Sequence, residues 1–185
     1  KLFIEKILCD LKHSNRDWNI VVLRYFNPAG AHASGLLGEA PNQVPNNLFP
    51  LVSQVAAGHA ECLNVYGSDY PTKDGTGIRD YIHICDLAEG HVKALTIPSN
   101  QTQLLAVNLG TGFGYSVIEI VKEFERVSGR KVPYKLLGRR PGDVAACYAD
   151  ASYAETIMGW KAKKTLTDMC KDQWRWETKL LKINP

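Results

Sequence analysis

The chain has 185 residues, 45% of them hydrophobic, with a formal net charge of +3. That is enough apolar material for one ordinary core, and it excludes a disordered chain or a fibrous repeat. The charges are mixed in sign, and the excess is too small to argue for a nucleic-acid partner or a membrane surface.

Ile4, Ile7, Leu8 and Leu11 repeat at helical spacing, which predicts an amphipathic helix at the start. Lys1 enters it without a cap or an initiator methionine, so the opening reads as truncated. The run Ile20 to Tyr25 is β-branched and apolar enough for a buried strand. From Asn27 to Asn47 the chain is rich in Gly, Pro, Asn and Ala, which predicts a long and functional loop. Asn46 or Asn47 then caps a helix carrying Leu48, Leu51, Val52 and Val55, with Gly58 at its end. A short strand follows at Leu63 to Tyr66. Three more helices are signalled by a capping residue and an acid three positions later: Asp86 with Glu89, Ser116 with Glu119, and Thr165 with Asp168. Leu104 to Leu109 and Val132 to Leu137 are the remaining strand candidates. Strands alternating with helices, without internal repeats, predict an α/β fold with a partly parallel sheet.

Five cysteines (Cys9, Cys62, Cys85, Cys147, Cys170) are odd in number, widely spaced and free of any C-x-x-C pair. Neither a disulfide framework nor a zinc site is indicated, and a reducing cytosol is the expected compartment. The triplet Asn100-Gln101-Thr102 has the form of a glycosylation acceptor and reads as incidental without secretory features. No apolar run is long enough to span a bilayer, and no signal peptide opens the chain. The basic cluster Lys161, Lys163 and Lys164 reads as a solvated turn.

The segment Gly110-Thr111-Gly112-Phe113-Gly114 sits where a phosphate-cradling loop would lie. Its spacing is G-x-G-x-G rather than G-x-G-x-x-G, so a structural turn is expected. Asp80, His83 and Asp86 resemble a metal or acid/base cluster. However, Asp80 and His83 would face opposite ways on a strand and Asp86 is expected as a helix cap, so structural roles are favoured. His32, His59 and His91 read as surface or packing residues. Arg79 and Arg140 are suited to grip paired phosphates, and amide and aromatic groups gather around Tyr25 to Asn27, Asn46 to Leu48 and Asn64 to Tyr66. The residues alone reach an α/β domain with a site for an anionic ligand.

The string Leu23-Arg24-Tyr25-Phe26-Asn27-Pro28-Ala29-Gly30-Ala31-His32 resembles the strand and loop after the active-site helix of the UDP-galactose 4-epimerase family, within the extended short-chain dehydrogenase superfamily. The resemblance continues through Pro45-Asn46-Asn47-Leu48, the stretch from Tyr66 to His83, and Arg139-Arg140-Pro141-Gly142-Asp143, covering nearly the whole chain. It implies the C-terminal part of an extended Rossmann-fold enzyme with a smaller α/β substrate-binding domain. Residues 1–26 would end the NAD-binding domain, and residues 27–185 would mainly bind UDP-sugar, with segments near 80–110 returning to the Rossmann sheet.

By that resemblance Lys1 is the lysine of a Tyr-x-x-x-Lys pair whose tyrosine, with the glycine-rich NAD fingerprint, lies upstream. Lys1 would support catalysis and bind the nicotinamide ribose, and Tyr25 would lie against the nicotinamide end and the substrate. Phe26 and Asn27 would contact substrate. Asn46, Asn47, Leu48, Asn64, Val65 and Tyr66 would line the nucleotide and its phosphates, and Arg79, Arg140, Pro141, Gly142 and Asp143 would hold pyrophosphate and ribose. The implied reaction interconverts UDP-galactose and UDP-glucose with NAD at C4, and the family allows a homodimeric parent. The chain by itself is expected to be inactive. Cys147 would sit in the sugar-pocket wall, where a small residue implies room for a 2-N-acetyl group; the alternative is a buried, inert cysteine. Another nucleotide-sugar dehydratase, decarboxylase or epimerase, or a non-catalytic nucleotide-sugar-binding module, remain competing readings.

Overall fold

A computed structural model describes residues 1–42, 45–98 and 104–180. In chain order the elements are α1 (Leu2–Ser14), β1 (Ile20–Tyr25), β2 (Asn27–Ala29), α2 (Leu48–Ala56), β3 (Leu63–Tyr66), β4 (Ile78–Arg79), β5 (Tyr81–His83) and α3 (Ile84–Leu95). They continue with β6 (Leu104–Leu109), β7 (Tyr115–Ser116), α4 (Val117–Ser128), β8 (Tyr134–Leu137), β9 (Ala146–Cys147), α5 (Ser152–Met158) and α6 (Leu166–Leu180). The Asn100–Thr102 triplet lies outside the described residues.

The strands pair mainly in parallel: β1 with β6, β2 with β5, and β3 with β8. β4 pairs in parallel with β9 and antiparallel with β7. Parallel pairing needs long crossovers, and the helices between these strands supply them. The predicted α/β architecture is the observed one.

Two apolar cores result. α2, α4 and α6 close over β3 around Phe49, Val52, Leu63, Val65, Ile120, Phe124, Met169 and Trp174. A second core joins β5, α3, β6 and α5 through Ile82, Leu87, Val107, Leu109, Met158 and Trp160. Asp80 stands where the chain passes between them. Its fully buried carboxylate accepts from Thr111 N (3.0 Å), Thr111 Oγ1 (2.6 Å), Gly112 N (3.0 Å) and Ala149 N (3.1 Å). The glycine-rich turn therefore does bind an anion, but that anion is the protein's own side chain. A Cβ at Gly110 would stand 2.6 Å from Asp80 Oδ2, so the turn closes on the carboxylate only with glycine there.

Three expectations need correction. Asp86 does not cap a helix: α3 begins two residues earlier because His83 Nδ1 accepts from Cys85 N (3.1 Å). Asp86 thus falls inside the first turn, where Oδ2 accepts the backbone N–H groups of Lys163 (2.9 Å) and Lys164 (2.8 Å). Asn47 occupies the N-cap position of α2 but makes no capping hydrogen bond, because its amide donates instead to Glu39 (3.0 and 3.1 Å). β8, expected from Val132, starts at Tyr134 instead, and the Val132 side chain is buried in the first core. The other capping boxes form as expected, Ser116 with Glu119 and Thr165 with Asp168. α1 is helical, yet none of its residues is buried, and Leu2, Phe3, Ile4 and Ile7 lie on the surface.

Candidate functional site

The chain turns sharply after β1. Phe26 N donates to Leu109 O (3.1 Å) on β6, and one residue later Asn27 N donates to Asp80 O (3.0 Å), carrying the backbone from one sheet to the next. Two clefts open beside this crossing. The shallower holds Lys1, Arg24, Tyr25, Phe26, Asn27, Pro28 and Asn108. Within it the Lys1 ammonium stands 5.9 Å from the centre of the Tyr25 ring, and the ring of His91 packs on Tyr25 at the same centroid distance of 5.9 Å.

The deeper cleft shares Asn27 and Pro28 with the first and brings together Asn46, Asn47, Leu48, Asn64, Val65, Tyr66, Arg79, Arg140 and Asp143. These come from the ends of β2, β3 and β4, the start of α2 and the 139–143 turn. Gly142 has φ of 84°, which lets that turn fold Asp143 back against Arg140, with Asp143 N donating to Arg140 O (3.2 Å). Pro141 and Gly142 shape the turn and do not line the cleft. Cys147 also lies outside the lining, exposed on β9 opposite Arg79 in the ladder. The cysteine is therefore not buried.

Charge in the deeper cleft is organised by one carboxylate between two guanidiniums. Arg140 Nε donates to Asp143 Oδ2 (2.9 Å), and Arg79 Nη2 reaches Asp143 Oδ1 at 3.4 Å. Arg79 Nη1 donates to the carbonyls of Ile78 and Val144 (both 2.8 Å), which fixes the direction of its fork. Arg140 lies over the Tyr66 ring, 4.9 Å from its centre. Beneath them, burial pushes the Tyr81 phenol up to about 12, against the opposing pull of Arg79 and Arg140. It stays a neutral donor. Two guanidiniums against one carboxylate leave a net positive site suited to an anionic ligand, and Tyr66 with four asparagines offers a stacking face and amide groups. Sequence reasoning missed Tyr70, Gly77 and Tyr81, which also line the cleft and lie in the 66–83 stretch that carried the resemblance.

A family model described as GDP-mannose 4,6 dehydratase matches residues 1–173. The chain belongs to that family. Among its relatives, the UDP-glucose 4-epimerase of Bacillus subtilis (strain 168) is 59% identical over 178 residues, 96% of this chain and 52% of the relative. The solved UDP-glucose 4-epimerase of Bifidobacterium longum, in complex with NAD+ and UDP, superimposes with a TM-score of 0.94 at 52% identity, covering 100% of this chain and 55% of that one. The enzyme from Stenotrophomonas maltophila, with bound NAD and formylated UDP-arabinopyranose, gives a TM-score of 0.94 at 49% identity over 98% of this chain and 54% of its own. The chain spans about half the length of the curated relatives it matches. The fold shared with these structures is the α/β fold of NAD-binding extended short-chain dehydrogenases.

Proposed function

We propose that this chain is the sugar-nucleotide-binding part of a UDP-glucose 4-epimerase, a parent that interconverts UDP-galactose and UDP-glucose. The observation that carries the reading is the arginine pair Arg79 and Arg140 set about Asp143, facing Tyr66 and Asn64 across one cleft. Relatives at 59% identity bear that enzyme's name, and a neighbour of nearly the same fold was solved with UDP. In this reading the guanidiniums take the pyrophosphate, the Tyr66 face takes the base, and Phe26 and Asn27 lie towards the sugar.

The cofactor that the family implies, NAD, fits one end of this chain. Lys1, Tyr25, Phe26 and Asn108 form an open cleft continuous with the deeper one through Asn27 and Pro28, suited to a ribose and a flat ring. The Gly110–Gly114 turn is not free to cradle its pyrophosphate, because the N–H groups of Thr111 and Gly112 donate to Asp80 and that of Phe113 to Thr111 Oγ1. When bound, NAD accepts and returns the hydride at C4 of the sugar. The Lys1 ammonium beside Tyr25 would hold a ribose hydroxyl and favour a neighbouring phenolate.

We assign residues 1–26, with segments near 80–110, to the cofactor domain and most of residues 27–185 to the UDP-sugar domain. The uncovered apolar side of α1 supports a parent in which that face meets further chain or a second copy. Five free cysteines support a reducing cytosol. We propose further that Cys147, outside the lining of the deeper cleft but opposite Arg79 in the ladder, faces the sugar in the full-length parent and leaves room for the N-acetylated sugar pair. The chain alone, which spans about half the length of its relatives, is expected to leave UDP-galactose unchanged. Titrating the full-length parent with UDP, GDP and ADP tests the assignment: UDP is expected to bind at least tenfold more tightly than the others, and equal affinities would exclude a uridine site.

A further inference from the structure

The segment from Gly67 to Gly77 is the part of the chain for which the proposed reaction has no use beyond lining, yet it is built with unusual rigidity. Burial works to raise the Asp74 carboxyl, but hydrogen bonds from the Ser116 hydroxyl, Thr76 Oγ1 and Thr76 N outweigh it and hold the group below the usual range. Thr72 Oγ1 donates to Thr76 O (2.7 Å), and Tyr70 N donates to Gly75 O (3.0 Å). Gly75 has φ of 80°, and a Cβ there would collide with Ser68 O.

All of this bracing converges on Tyr70. Gly67, with φ of 82°, leaves the space that the ring of Tyr70 fills, since a Cβ would strike Cε2. On the ring lies the Arg139 guanidinium, 4.2 Å from its centre, itself anchored by Asp69 Oδ1 and Asp69 O (both 2.7 Å). The side chain is 6% exposed and forms part of the deeper cleft's wall with Asn64, Tyr66 and Arg140. Its hydroxyl is the only buried side-chain polar atom among the described residues without a hydrogen-bond partner. Buried polar groups are otherwise paired almost without exception, and a phenylalanine here would keep every contact of the ring.

We propose that Tyr70 is a further substrate-binding residue, whose hydroxyl finds its missing partner in an oxygen of the nucleotide part of the UDP-sugar. The proposal rests on the reading of the deeper cleft as the UDP site. The 67–77 segment then acts as a rigid mount that delivers one hydrogen bond to the ligand. An unpaired phenol in the free protein also makes the bond selective, because its full worth appears only when ligand arrives.

Tyr70→Phe in the full-length protein tests this, with UDP affinity measured by calorimetry and the thermal midpoint measured with and without UDP. The expected result is a Kd for UDP raised about 3- to 10-fold, the value of one hydrogen bond. The unliganded midpoint should be unchanged or higher, because no partner is lost in the free protein. Unchanged UDP affinity overturns the proposal, whether the unliganded midpoint holds or falls; a fall would assign the hydroxyl to an internal water instead. If the wild-type protein itself binds no UDP, the assignment of the cleft fails and the proposal falls with it. A wild type that binds UDP and a variant that binds it equally well remove Tyr70 alone.

Discussion

Replacing Arg79 by alanine removes the guanidinium that the fold holds most firmly in the deeper cleft. Its side chain is 22% exposed, and two carbonyls and Asp143 fix its fork. A charge-assisted hydrogen bond to phosphate from so sheltered a group is worth about 1.5–3 kcal/mol. At ~1.4 kcal/mol per factor of ten, UDP should bind roughly 10- to 150-fold more weakly. Arg140 differs because its side chain is 58% exposed. Solvent reduces its ionic contribution to about 0.2–1 kcal/mol, so Arg140→Ala should cost roughly 1.4- to 5-fold. Salt separates the two further, since screening acts on the exposed group. Calorimetric titration of the full-length parent and both variants with UDP, at low and high ionic strength, measures this, with NAD retention as the control. Retention should barely change, because neither arginine lines the Lys1–Tyr25 cleft. An Arg79→Ala protein that binds UDP within twofold of the parent, or a larger loss at Arg140 than at Arg79, would refute the reasoning.

On the proposed placement of Cys147 in the sugar-pocket wall of the parent, Cys147→Tyr should abolish interconversion of UDP-N-acetylglucosamine and UDP-N-acetylgalactosamine while sparing UDP-glucose and UDP-galactose, because a phenol would fill the space an acetamide needs. Equal loss of both activities in paired assays would instead indicate general damage beside Arg79. His83 should make stability fall with acid. Burial, outweighing the hydrogen bond and charge of Asp172, keeps its folded pKa below the usual 6.5, with Lys164 lowering it and Asp86 raising it. Above pH 6.5 the contact with Asp172 at 3.2 Å is therefore a hydrogen bond from a neutral imidazole, with Nδ1 accepting from Cys85 N, rather than an ion pair. Below 6.5 the unfolded chain takes up a proton that the folded one refuses, so this contribution is complete above 6.5 and is lost as pH falls through the folded value. Urea midpoints at pH 7.5 and about 5.5 should drop more for the wild type than for His83→Gln. Glu177, raised by burial, acts with the opposite sign but is common to both proteins. A wild type that loses no more than the variant would count against a neutral His83.

Much of the regular structure was legible because its signals are local. The apolar run Ile20 to Tyr25 and the alternation at Leu63 to Tyr66 coincide with β1 and β3, and the Ser116–Glu119 pair marked the start of α4. The two- and three-residue strands were not legible. Asn27–Ala29 is a strand only because Tyr81–His83 lies beside it, and nothing within three residues records a partner so distant in sequence. The cap at His83 escaped because imidazole is an unusual capping acceptor, and Asp86 offered a more familiar one. α5 went unread because its signal, Asp150 accepting from Ser152 N and Oγ, precedes a helix of seven residues with little periodicity. At the candidate site, Arg79 and Arg140 stood out by charge type and Asp143 by the resemblance, but its place between the two guanidiniums became visible only once the turn at Gly142 was seen. Tyr70 looked like any loop tyrosine. Its importance lies in a missing hydrogen bond, which no sequence displays.

The most direct test of the account is turnover of UDP-galactose by the full-length parent, with NAD, alongside the 185-residue chain under the same conditions. The account predicts conversion to UDP-glucose by the parent and none by the chain alone. A parent that binds UDP yet leaves UDP-galactose unchanged, or a chain that turns it over unaided, would contradict it.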